Sequence, residues 1–66
     1  MRFTLNGDAT DANGTVADLV EQRFGATSGR GIAVAVNGVV VARGAWADTS
    51  ILDGDRIDIV TAVQGG

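Results

Sequence analysis

The residues of this chain best placed to do chemistry are its last two, Gly65 and Gly66. A terminal α-carboxylate is ionised at neutral pH, which makes it a nucleophile but a resistant acyl group. Attack on the α-phosphate of ATP would convert it to an acyl-adenylate, a mixed anhydride with a good leaving group. A sulfur nucleophile could then displace AMP and leave a thiocarboxylate on Gly66. Glycine suits that chemistry, because a tail without side chains can enter a narrow channel and adopt the φ and ψ it demands. Gln64 to Gly66, with the residue before them, reach roughly 10–13 Å when extended. The plainer account of two terminal glycines is a frayed, inert tail, and composition alone leaves both accounts open.

The rest of the chain holds few reactive groups. It has no Cys, His, Lys or Pro. Nucleophilic catalysis by Cys–His or Ser–His pairs is therefore excluded, as are a structural zinc site and any disulfide. With no lysine there is no phosphate-binding ammonium and no side-chain amine for isopeptide chemistry on the chain itself. Any nucleotide, metal or sulfur donor would have to sit on partners. Five arginines against eight acids give a net charge of -3, which disfavours nucleic acid and favours a basic protein partner. No apolar run approaches the ~20 residues that span a bilayer, so no membrane role is expected and a cytoplasmic protein is the default.

The elements that must present the tail are legible from patterning. Hydrophobic residues make up 45% and charged residues 20%, the balance of a folded domain, and 66 residues allow one domain with a thin core. Met1, Phe3 and Leu5 alternate on a first strand, and Asn6-Gly7 suits a two-residue hairpin to a short polar edge strand over residues 8–11. Thr15 is placed to cap a helix, with Asp18 in its first turn, and Val16, Leu19, Val20 and Phe24 form one apolar stripe. Gly25 sits where a left-handed cap belongs. Residues 25–31 form a small loop without the spacing or the lysine of a phosphate cradle. Ile32 to Val36 alternates large residues with alanine, and Asn37-Gly38 turns the chain into a returning strand over 39–43. Residues 44–50 read as irregular, with Trp46 as a core plug and Leu52 pointing inward ahead of the Asp53-Gly54-Asp55 turn. The last strand, 56–63, puts Ile57, Ile59, Thr61 and Val63 on one side and Arg56, Asp58, Val60 and Ala62 on the other.

A helix with a single apolar stripe covers only one face of a sheet, so the opposite face must meet water or a partner. Val60 and Ala62 lie on that face just ahead of the tail and are candidates, with Val63 and Gln64, for docking a partner. Asp48, Asp53, Asp55 and Asp58 lack the ligand spacing of a calcium loop and read as a turn plus a solvated acidic face, so no metal site is expected.

The second half carries more than a generic pattern. Val36-Asn37-Gly38, Val41, Arg43, Trp46, Thr49, Leu52, Asp53-Gly54-Asp55, Ile57, Ile59-Val60, Ala62-Val63 and Gln64-Gly65-Gly66 resemble the ThiS family of sulfur carriers of thiamine biosynthesis. The first half fits that family in element order and helix position more than in letters. The family commonly has proline where this chain has Ala42. The resemblance implies an α+β, ubiquitin-like β-grasp fold: a mixed sheet of four to five strands with one main helix on one face. The first and last strands would then pair in parallel at the centre of the sheet. Residues 1–63 would form the domain, and 64–66 a flexible tail. The resemblance further implies a cosubstrate rather than an enzyme. Gly66 would be the sulfur attachment point, and Gly65 would give it access. No cofactor would be bound, the ATP and Mg being used by a ThiF-like adenylyltransferase. Sulfur would come from a cysteine desulfurase and pass to thiazole synthase (ThiG). Alternatives are the small subunit of molybdopterin synthase (a MoaD-like carrier with the same terminal chemistry), a β-grasp interaction module with inert glycines, and a protein modifier.

Overall fold

The computed structural model describes residues 1–25 and 31–61. Their elements run in the order β1 (Arg2–Leu5), β2 (Asp8–Asp11), α1 (Val16–Phe24), β3 (Ile32–Val36), β4 (Val39–Val41), a 3-10 helix (Arg43–Asp48) and β5 (Arg56–Thr61). The strands form one mixed sheet in the order β2-β1-β5-β3-β4. β5 lies at its centre, parallel to β1 (Leu5 opposite Ile57) and antiparallel to β3 (Val34 opposite Ile59). The polar strand β2 forms one edge and the all-valine β4 the other.

Local chemistry explains the turns. Asn6 and Asn37 adopt φ 51° and 53°, and Gly7 and Gly38 follow at 87° and 86°. Two consecutive left-handed residues make the hairpin turn whose twist matches that of the flanking strands. Helix α1 begins with a reciprocal capping box. The Thr15 hydroxyl accepts from the Asp18 amide, and the Asp18 carboxylate accepts from the Thr15 amide at 2.9 Å. At its other end Gly25, at φ 82°, donates its amide to Glu21 O.

The stripe of α1 covers one face of the sheet. Val16, Leu19 and Val20 join Phe3, Leu5, Val34, Trp46, Ile51, Ile57 and Ile59 in a single core. Phe24, the fourth member of the stripe, is 39% exposed, because the helix ends at that residue and carries it past the core. Trp46 is the core plug its solitude suggested, and its indole N–H donates to Val41 O at 2.9 Å.

Three expectations need correction. The stretch after β4 is not irregular: Ala45 N bonds Ala42 O and Thr49 N bonds Trp46 O, tightening Arg43–Asp48 into 3-10 turns. β4 accordingly stops at Val41 rather than 43. Leu52 does not point inward: it is 57% exposed, and its neighbour Ile51 is buried instead. The cause is a short antiparallel contact with the chain ahead of α1, where Val16 N bonds Thr49 O and Ile51 N bonds Gly14 O. That pairing turns Ile51 into the core and leaves Leu52 outside. Of the last strand, residues 62 and 63 lie outside the described residues.

At Ala42 the backbone stands at φ -61° and ψ 144°, within the range a proline ring enforces. Alanine in place of the commoner proline therefore leaves the path from β4 into the 3-10 helix unchanged.

Candidate functional site

β5 positions whatever follows it. Ile57 and Ile59 are buried under the helix, while Arg56 and Val60 are exposed on the opposite face. Cross-strand register sets the neighbours of Val60: it stands opposite Ala33, and the next row on that face holds Asp58, Ala35 and Val40. Val60 is 63% exposed and Val40 74%, with small alanines between them. The result is a flat apolar strip beside the ion pair of Arg56 and Asp58, whose Nε and Oδ2 are 3.5 Å apart. Both partners are solvent-accessible, so the pair adds little to stability.

Of the residues expected to act, Val60 therefore lies where the alternation put it, on the open face near the end of β5. Ala62, Val63, Gln64, Gly65 and Gly66 lie outside the described residues.

No group of three or more acidic, histidine or cysteine side chains among the described residues is arranged to hold a metal ion. One surface hollow of about 370 Å³ is lined, among the described residues, by Asn13, Asp18, Glu21 and Gln22, two of them carboxylates. No helix among the described residues is long and apolar enough to cross a membrane.

Two residues read from the sequence only as turn formers do more. The Asn37 side chain accepts from Arg56 N at 2.9 Å and donates to Asp55 Oδ1 at 3.0 Å, gripping the start of β5. The Asn6 side chain accepts from Ile59 N at 2.8 Å and donates to Ile59 O at 3.2 Å, gripping the same strand near its end. The available signal was the residue type: asparagine alone among the usual left-handed turn residues carries both a donor and an acceptor.

A five-stranded mixed sheet with a parallel central pair and one helix on one face defines a ubiquitin-like β-grasp protein. The sequence pattern of the ThiS family matches residues 3–66, and the chain belongs to that family, whose members are small sulfur carriers of thiamine biosynthesis. Two solved structures are similar. The crystal structure of a thiamine biosynthesis protein (ThiS) from Geobacter metallireducens is 27% identical, with a TM-score of 0.80 and full coverage of both chains. A solution structure of a thiamine biosynthesis protein from the same organism is also 27% identical, with a TM-score of 0.77 over 100% of this chain and 88% of that one. No curated protein sequence matches.

Proposed function

We propose that the chain carries sulfur as a thiocarboxylate on Gly66 and delivers it for construction of the thiazole ring of thiamine. The observation that carries this reading is that the family match runs through Gly66 itself, the residue to which this reading assigns the reactive carboxylate. In the first step a carboxylate oxygen attacks the α-phosphorus of Mg-ATP on a ThiF-like adenylyltransferase and expels pyrophosphate. In the second, a sulfur nucleophile adds to the acyl carbon and AMP departs. The sulfur originates on a cysteine desulfurase, and the acceptor is thiazole synthase.

The chain's own contribution is presentation. The absence of Cys, His and Lys leaves activation to the partner, so the carrier acts as a cosubstrate. The strip around Val60 supports docking on the open face of the sheet, with Ala62, Val63 and Gln64 continuing the contact toward the partner's channel. Gly65 lets the terminus pass through that channel. The acidic balance of the chain favours a basic partner surface, mainly through the association rate.

The test is intact mass after incubation with the activating enzyme, Mg-ATP and sulfide. One oxygen of the full chain should be replaced by sulfur, and alkylation should separate this product from oxidised Met1. Deleting Gly65 and Gly66 should abolish the product while circular dichroism stays unchanged. Conversion of the truncated chain would refute the assignment to Gly66.

A further inference from the structure

β1 is only four residues long, and its registered pairing with β5 ends at Leu5 opposite Ile57. There the chain turns away at Asn6-Gly7, while β5 runs on to Thr61. β3 accompanies β5 to that point, with Ile32 opposite Thr61, but on the other side the backbone of β1 has nothing further to offer. The Asn6 carboxamide fills the gap. Its backbone N–H bonds Ile57 O at 2.9 Å, and its side chain then bonds both the N–H and the C=O of Ile59. A side-chain amide is chemically a peptide group, so Asn6 extends the parallel ladder by one step beyond the end of its own strand. Making the turn does not require this. Glycine or aspartate also fills the first left-handed corner, yet neither offers a donor and an acceptor together.

We infer that Asn6 is a positioning residue for transfer at Gly66: it fixes the outgoing end of β5, and with it the point and direction from which the terminal residues depart. Ile59 is seven residues before Gly66 (66 minus 59) and two before Thr61, where β5 ends. Ile59 is 7% exposed and both bonds are part-buried, so water replaces them only in part. Held from both sides, β5 presents its end rigidly, and the carboxylate searches a smaller volume for the α-phosphate of the nucleotide on the partner. The inference rests on the proposed role of Gly66.

Asn37 provides an internal control. It has the same residue type and turn geometry and also bonds β5 through its side chain, but at Arg56, the start of the strand. A merely structural role predicts the same outcome at both sites, whereas a positioning role predicts a difference.

The experiment compares Asn6→Gly, Asn37→Gly and Asn6→Asp in the full chain, glycine being free to keep the left-handed backbone. Amide exchange reports the grip, and pyrophosphate release with the activating enzyme reports kcat and KM. Asn6→Gly should speed exchange at Ile59 about tenfold, the equivalent of one lost hydrogen bond. It should lower kcat about tenfold or more, with KM held within about twofold because the open sheet face is untouched. Asn37→Gly should lower the melting temperature comparably yet leave kcat within about twofold of the parent. Asn6→Asp keeps the acceptor for Ile59 N–H, loses the donor and should fall between. Equal kcat for Asn6→Gly and Asn37→Gly, or an unchanged kcat for Asn6→Gly, would overturn the positioning role while the function stands. A parent chain that the activating enzyme cannot adenylate would overturn the function and this role together.

Discussion

Replacing Val60 by arginine tests whether the open sheet face guides the carrier onto its activating enzyme. The domain itself should tolerate the change. Val60 is 63% exposed, its cross-strand neighbour is the small Ala33, and a nearby carboxylate, Asp58, lies on the same face. Such surface substitutions shift stability by about 0.5 kcal/mol or less. Binding should respond more. Full burial of a valine side chain contributes about 1.5–3 kcal/mol, and the 63% of Val60 that remains open scales this to about 1–2 kcal/mol. Losing that contribution weakens the complex about 5- to 25-fold, and setting a cation against a basic partner weakens it further. The assay is calorimetric titration of the activating enzyme with the parent and with Val60→Arg, run beside thermal melts of each. An unchanged dissociation constant with an unchanged melt would refute docking through this face. A weakened complex with a melt lowered by tens of degrees would show instead that Val60 supports the fold.

Two further substitutions test the packing that holds the tail-bearing strand. Ala42→Pro should stabilise the domain by about 0.4–1 kcal/mol, because φ is already -61° and the preceding Val41 is in a strand, where a residue before proline is comfortable. A thermal melt should rise by a few degrees, and a fall would mean that the Ala42 amide is needed as a donor. Trp46→Phe keeps an aromatic plug but removes the 2.9 Å bond to Val41 O, so urea denaturation should show a loss of about 1–3 kcal/mol. A loss below about 0.5 kcal/mol would mean that water replaces the indole at no cost.

What could be read from the sequence follows the range of the interactions responsible. Both hairpins and the start of the helix were legible because their causes lie within a few residues: two left-handed positions for Asn-Gly, and a reciprocal pair of bonds for Thr15 and Asp18. The buried side of β5 was legible for the same reason, since strict alternation fixes Ile57 and Ile59 together. The choice between Ile51 and Leu52 was not. They are adjacent apolar residues outside any periodic element, and a backbone pairing with residues 14–16, more than thirty positions away, decides which turns inward. The 3-10 helix escaped because its bonds span three residues and leave no apolar stripe to read. The second role of Asn6 was hidden in the same way. Its contribution to the turn is local and visible, but its grip on Ile59 spans 53 positions and exists only once β1 and β5 lie in parallel. A residue fully explained by local geometry can thus carry a long-range role that the local explanation conceals. In this fold, the central strand β5 is the one that both left-handed asparagines hold.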